Sequence, residues 1–282
     1  MTVIEILTKT SEYFKSRGVD SPRLTSELLL SDLLSCKRLD LYLNYDKPLT
    51  ETETDAFREY VKRRGAREPL QYIIGKASFM DFDVSVRPGC LIPRPETAAI
   101  LETLSSEKEL FSELAPKTIL DIGTGSGIIA IAAAKLFPDA KITAIDKSDK
   151  ALEIAKANGA SAGTSKIEFI LSDLFTELVN RKFDLILSNP PYIPSAELSG
   201  LQKEVSLYEP AMALDGGIDG LDFYRAIIGQ AASFLMPNGR IYFEHGDGQS
   251  DAIEKIAAYN KFKTISKIKD LAGKLRVIVL EK

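Results

Sequence analysis

From residue 118 onward, short apolar runs alternate with helical stretches, and no other feature restricts the fold of this chain as much. TILDIG (118–123) precedes SGIIAIAAAKLF (126–137), KITAID (141–146) precedes DKALEIAKANGA (149–160), and KIEFIL (166–171) is followed by FDLILSNPPY (183–192). Strand followed by helix, repeated, predicts an α/β domain whose parallel sheet is covered on both faces. A helix from about Gly220 to Leu235, a strand at RIYFEH (240–245) and a helix from about Gln249 to Ala258 extend the series. The last two apolar runs, FKTISKI (262–268) and LRVIVLEK (275–282), have no helix between them, so they are expected to pair antiparallel and end the sheet.

Upstream the period is helical. Val3, Ile4, Ile6, Leu7, Tyr13 and Phe14 mark one amphipathic stretch, residues 22–36 open on Ser21 and Pro22 as a helix start, and a third stretch runs from Thr50 to Val61. Three or four helices over residues 1–75 predict a small helical domain. ASFMDFDVSV (77–86) then alternates apolar and polar residues, which predicts a hairpin linker over 76–92 and leaves 93–282 for the larger domain. A chain of 282 residues is long enough for two domains. Its 45% apolar and 27% charged residues are those of a soluble protein. The net charge of −4 opposes diffuse binding to phosphate backbones, so no stable nucleic-acid partner is expected. Cys36 and Cys90 stand in no paired motif and are expected to be reduced thiols. Neither a signal peptide nor an apolar run near the ~20 residues of a membrane span is seen, and a soluble cytoplasmic monomer is the expectation.

Chemistry concentrates where strands end. DIGTGSG, Asp121 to Gly127, joins a strand to a helix; its glycines let the backbone turn tightly, and the free amides of a helix start can meet polar ligand atoms. The GxGxxG spacing of a dinucleotide site is broken at Ile128, and the carboxylate of Asp121 would repel phosphates and attract an ammonium. Asp146 ends the next strand, where an acid can accept from both ribose hydroxyls; Ser148 could serve instead as the helix cap there. Asp173 ends a third strand and could take an adenine amino group, with the Leu174 amide on a ring nitrogen. NPPY, Asn189 to Tyr192, follows a fourth. Two prolines forbid helix and hold Asn189 and the Pro190 carbonyl in one geometry. An amide nitrogen is a poor nucleophile because its lone pair is delocalised; two acceptors on its two hydrogens aim that lone pair at an electrophile, and Tyr192 can stack on the planar group. No metal is called for. His245, the one histidine of the chain, is read as a local hydrogen-bonding residue, and Glu244 beside it is left open.

Taken together these residues resemble the release factor glutamine methyltransferases, enzymes that methylate the side-chain nitrogen of glutamine in the GGQ motif of peptide chain release factors. The similarity covers most of the chain: REPLQYIIG (67–75), IPRPET (92–97), DIGTGSG, NPPY, YEPAMALDGGIDGLDFYR (208–225) and DLAGKLRVIVL (270–280) follow in the family's order. The resemblance implies a seven-stranded Rossmann-like class I methyltransferase domain behind a small N-terminal helical domain, with S-adenosylmethionine as cofactor and release factors as partners. It implies that Asp121, Gly123, Thr124, Gly125, Ser126, Gly127 and Asp146 hold the methionine and ribose parts of the cofactor. Asp173, Leu174 and Phe175 would lie at adenine, with Asn189 also touching the cofactor. Asn189, Pro190, Pro191 and Tyr192 would hold the glutamine, Arg94 and Glu96 would line the site, and the N-terminal helices would help grip the release factor. The chain departs from the family at Ala98, where a second acid is usual, and at His245, within EHG in place of EIG.

Three other readings compete. NPPY-type turns also serve methyltransferases of adenine or guanine amino groups, which use a basic groove; KRRGAR (62–67) is the one cluster that could supply it, its plainer reading being a solvated helix end. A noncatalytic binder would have no use for a rigid double-proline clamp. A dinucleotide oxidoreductase is opposed by the broken glycine spacing.

Overall fold

The computed structural model describes residues 1–107, 115–164 and 166–282. They divide into two compact units, Met1–Lys76 with Gln202–Tyr208, and Ala77–Leu201 with Glu209–Lys282.

The first unit is helical. α1 (Val3–Ser16) and α4 (Glu51–Gly65) each start on a capping box: Thr2 with Glu5, and Thr50 with Glu53, exchange side-chain and backbone hydrogen bonds that satisfy otherwise orphaned amides. α2 (Pro22–Leu33) begins on proline, whose missing N–H is harmless there. Val3, Leu7, Phe14, Leu29, Leu30 and Phe57 form the core between them. α3 (Arg38–Leu43) and α5 (Leu70–Ile74) are too short to leave a periodic signal, which is why five helices stand where three or four were expected. The segment 202–208, with α9 (Lys203–Tyr208), completes this unit from far along the chain. Glu204 pairs with Arg64 at 2.8 Å and with Arg67 at 2.6 Å, and the Tyr208 hydroxyl donates to the Ala66 carbonyl at 2.8 Å. Arg63 is held by Glu68 at 2.6 Å. The KRRGAR run is therefore no solvated helix end: three of its four cations are neutralised by carboxylates, and Arg64 is buried.

The second unit holds a seven-stranded sheet. Its strands are β3 (Thr118–Ile122), β4 (Lys141–Asp146), β5 (Glu168–Leu171), β6 (Phe183–Ser188), β7 (Leu235–Glu244), β8 (Lys263–Lys269) and β9 (Leu275–Glu281). Their order is β5-β4-β3-β6-β7-β9-β8; the first five are parallel, and β9 runs antiparallel to both its neighbours, as the missing helix between the last two runs predicted. The chain winds outward from β3 to β5 on one side and returns to β6 on the other, so the order in which strands are added reverses between β3 and β6. Crevices outside the carboxyl ends of strands at such a point are where open sheets bind ligands. α7 (Ile128–Leu136), α8 (Asp149–Ser161), α10 (Asp222–Ala231) and α11 (Ser250–Tyr259) cover the sheet, along with α6 (Ala98–Glu107), which the sequence reading did not anticipate. Leu120, Ile186, Ile241, Phe243 and Ile278 are among its core.

The expected hairpin is β1 (Lys76–Phe79) with β2 (Phe82–Ser85), a separate two-stranded sheet. Asn158 of α8 ties it down by acting as a piece of neighbouring strand. Its Oδ1 accepts from the Ser85 N–H at 2.8 Å, while its Nδ2 donates to the carbonyls of Ser85 at 3.0 Å and Ser126 at 2.9 Å. One buried amide thus joins the hairpin to the glycine loop.

Candidate active site

The loop after β3 is shaped by its own backbone. Gly123 and Gly125 have φ of 71° and 56°, a region that favours glycine. A Cβ added at Gly123 would meet nothing within 4 Å, so open space lies over the loop. The amides of Gly123 and Thr124 both donate to the Ile145 carbonyl at 2.9 Å, which fastens the loop to the end of β4. Gly127 caps α7, and Ser126 is buried with its carbonyl on Asn158.

Asp121 lies beneath this loop with no exposed surface. Its Oδ2 accepts from the Thr124 hydroxyl at 2.6 Å and from the Ala130 N–H at 3.2 Å, while Oδ1 has no partner. Burial pushes its pKa up to about 7. Asp146, at the end of β4, accepts from the Gly125 N–H at 2.9 Å and the Ser148 N–H at 2.8 Å. Burial raises its pKa and these backbone donors oppose the rise. Ser148 caps α8 by accepting from the Ala151 N–H, which leaves Asp146 free of that duty.

After β5, Leu174 has a φ of 52°, unusual for a side chain of its size, and its carbonyl accepts from the Ser172 hydroxyl at 2.7 Å. The exposed Asp173 carboxylate accepts from Lys147 Nζ at 2.6 Å. Phe175 departs from its expected place. Its ring is buried in the core, stacked on Phe234 with centroids 4.4 Å apart, and does not face the cleft, because the turn at Leu174 sends the next side chain inward.

The NPPY turn is assembled from distant segments. The Ser188 hydroxyl donates to the Ile122 carbonyl at 2.8 Å, locking the ends of β6 and β3 together. Asn189 Nδ2 donates to Thr97 Oγ1 at 3.0 Å. The Ile193 N–H donates to the Leu214 carbonyl at 3.0 Å, and the Gly216 N–H returns a bond to the Ile193 carbonyl at 2.8 Å. Gln249 Nε2 donates to the Tyr192 carbonyl at 2.9 Å. A Cβ at Gly216 would sit 2.8 Å from the Pro191 carbonyl, and one at Gly220 2.3 Å from the Tyr192 carbonyl, so only glycine lets the 214–220 segment approach this closely. The Tyr192 ring packs against the core and is not among the residues lining the cleft; burial pushes its pKa up to about 12.

IPRPET is anchored by Glu209, whose buried carboxylate accepts from the Ile92 N–H at 3.0 Å and from Arg94 at 2.6 Å. Arg94 lines the cleft and Glu96 does not. Glu244 ends β7 and His245 follows it, both with no exposed surface. His245 Nδ1 lies 2.7 Å from the Gly246 carbonyl, so it is the nitrogen that carries the proton there, and burial lowers the pKa of the ring. Its Nε2 is buried without a hydrogen-bond partner. Neither carboxylate oxygen of Glu244 completes a hydrogen bond of good geometry, though the Thr97 hydroxyl and the Asn189 amide lie close enough to favour its charged form; burial outweighs them and pushes its pKa up to about 7.

One cleft of about 1060 Å³, counted with its mouth, receives the residues from both sides of the switch point. Gly123, Thr124, Gly125, Ser126, Asp146, Asp173 and Leu174 line one end, and Asn189, Pro190 and Pro191 the other, with Arg94, Thr97 and Met212 between loops. Sequence reasoning missed Glu209, Asn158 and Gln249, which bond to Ile92, Ser85 and Tyr192 across 117, 73 and 57 residues.

A sheet of this order, with a glycine loop after its first strand and an acid closing its second, defines a class I S-adenosylmethionine-dependent methyltransferase. Residues 96–204 match the model of the methyltransferase small domain, and residues 5–75 that of the PrmC N-terminal domain. The fold is shared with a methyltransferase from Pyrococcus furiosus at a TM-score of 0.50 and 19% identity, over 72% of this chain and 90% of that one. The release factor glutamine methyltransferase of Geobacter sulfurreducens is 44% identical over 89% of this chain and 87% of its own length. That of Rhodopirellula baltica is 37% identical over 100% of this chain and 96% of its own. The chain belongs to the release factor glutamine methyltransferases.

Proposed function

We propose that this protein transfers the methyl group of S-adenosylmethionine to the N5 side-chain nitrogen of the glutamine in the GGQ motif of peptide chain release factors, and so modulates translation termination. The observation that carries this reading is the single cleft lined by both the glycine loop and the double-proline turn.

The residues present fit the cofactor. Asp121 does not itself line the cleft, but its Oδ1 is a buried acceptor without a partner beneath the glycine loop, suited to an ammonium group, and the open space over Gly123 lets a ligand come up to the backbone. Asp146 has lone pairs beyond those its two backbone donors take, enough for ribose hydroxyls. Asp173 and Leu174 bound the end of the cleft assigned to adenine. When bound, the cofactor supplies an electrophilic methyl group on a sulfonium.

The chain's part is placement. Asn189 Oδ1 and the Pro190 carbonyl each accept one N–H of the glutamine amide, which holds its nitrogen lone pair toward the cofactor end of the cleft. Pro190 and Pro191 keep both acceptors fixed, so little reorganisation remains at the moment of transfer. Tyr192 supports the turn from the core side. The methylated nitrogen is acidic enough to give its proton to water at the mouth, and His245 takes no part. The helical unit contributes to holding the release factor, and the enzyme works as a cytoplasmic monomer. Among the described residues no helix is long and apolar enough to cross a membrane. With Arg63, Arg64 and Arg67 paired, KRRGAR offers little to a nucleic-acid backbone.

The test is transfer of labelled methyl to purified unmethylated release factor, with mass spectrometry of the GGQ peptide and with DNA and RNA as parallel acceptors. Label on the glutamine is expected; label on nucleic acid alone would overturn the reading.

A further inference from the structure

Asn189 serves as an acceptor in only one of its two amide orientations. With Oδ1 toward the cleft it can accept a substrate N–H; turned over, it presents Nδ2 and repels that same donor. The two orientations have nearly the same shape, and rotation about the terminal torsion of asparagine is soft, so the surroundings must choose between them. In the structure Nδ2 faces Thr97 Oγ1 at 3.0 Å, and Thr97 is buried at 1% exposure. Behind this pair stands Glu244, fully buried, with no hydrogen bond of good geometry completed on either oxygen although the Thr97 hydroxyl and the Asn189 amide lie close enough to favour its charge. Native folds seldom bury an unpartnered carboxylate without a use for it.

We infer that Thr97 and Glu244 are positioning residues that set the amide orientation of Asn189, turning its Nδ2 inward and leaving Oδ1 to the cleft. The inference rests on the reading of Asn189 as the glutamine acceptor. Thr97 takes the inward N–H on its hydroxyl oxygen, which turns its own hydrogen toward Glu244. The carboxylate rewards both inward-facing donors and repels the alternative, in which the Asn189 carbonyl oxygen would face it. The orientation therefore depends on Glu244 being charged; once protonated, it can donate to the turned-over amide instead. The groups that face Glu244 are Glu96 from the turn before α6, Arg276 from β9, and the phenols of Tyr192 and Tyr224. Arg276 favours the charged form and Glu96 opposes it, with burial the larger effect. This gives a use to Thr97 of PRPET and to the acid of EHG, which local spacing left without one.

The experiment compares Thr97→Val, which keeps the shape and deletes the hydroxyl, with Thr97→Ser, which keeps the hydroxyl, and with Glu244→Gln. Each is assayed for kcat, for cofactor Kd by calorimetry, and for folding by circular dichroism, beside Asn189→Ala. Thr97→Val is expected to lower kcat roughly 10- to 100-fold with cofactor Kd unchanged, and Thr97→Ser to recover most of the loss. Wild-type kcat is expected to fall as pH drops below about 7, and Glu244→Gln to have a lower kcat without that limb. Equal activity of the Val variant and wild type, equal damage in Val and Ser, or a loss confined to cofactor Kd would each overturn the inference. Should the Val variant not fold, a Glu244→Gln enzyme with wild-type kcat and an unchanged acid limb overturns it. A harmless Asn189→Ala would instead overturn the reading on which it rests.

Discussion

The two ends of the cleft are built by different means. The cofactor end is local: DIGTGSG bonds through its own amides to the ends of neighbouring strands, and Asp146 closes it with two backbone donors. The acceptor end draws on three remote segments, with Asn189 on Thr97, Ile193 on Leu214 and Gly220 packed against Tyr192 from the 214–220 segment, and the Tyr192 carbonyl on Gln249. A backbone-made loop tolerates side-chain change around it, whereas a turn held by distant side chains can be lost from any of them.

The sharpest contrast comes from removing one side chain at each end. Asn189→Ala is expected to lower turnover about 100- to 1000-fold, the range for losing a preorganised polar contact to the reacting group, while cofactor Kd shifts about threefold at most. Equal losses of cofactor affinity in Asn189→Ala and Asp146→Ala would break the division. Gly220→Ala probes the remote scaffold: its Cβ would fall 2.3 Å from the Tyr192 carbonyl, at a φ of 74°. We expect it to destabilise the fold by about 1–3 kcal/mol, read by thermal denaturation, with turnover lost in the protein that remains folded. Asp146→Ala is expected to weaken cofactor binding about 10- to 100-fold by calorimetry while leaving kcat at saturating cofactor within a few-fold.

The smallest effect sharpens the cofactor end alone. Asp121 has its pKa pushed up to about 7 by burial, and an ammonium beside it favours the charged form. Below pH 7 the carboxyl must first lose a proton, so cofactor affinity is expected to rise with pH from 6 to 8, by at most about tenfold per unit on the acid side. Calorimetry in buffers of different ionisation enthalpy should find a proton released on binding near pH 6. Asp121→Asn should bind more weakly and without this dependence.

The same contrast explains what was legible. Sheet, glycine loop and strand-end acids were readable because each is written in consecutive residues whose period or turn chemistry is self-contained. Glu209, Gln249 and the Thr97–Asn189 bond were not, since no spacing links residues that meet only after the sheet forms. The direction of the Phe175 ring was not legible either, since adjacency to Leu174 does not set it; past the positive φ of Leu174 the ring stacks on Phe234. α3 and α5 were missed for want of length, and α6 runs straight on from the PRPET turn with only ten residues of apolar face.

The inclusion of residues 202–208 in the helical unit has a consequence for the order of synthesis. Arg64 is buried at the end of α4, and its carboxylate partner Glu204 is made 140 residues later. At roughly 5–20 residues per second, the nascent helices wait on the order of ten seconds or more before that cation can be neutralised. The unit that leaves the ribosome first is therefore among the last to be finished, and a messenger truncated before codon 204 would leave the buried Arg64 without its carboxylate.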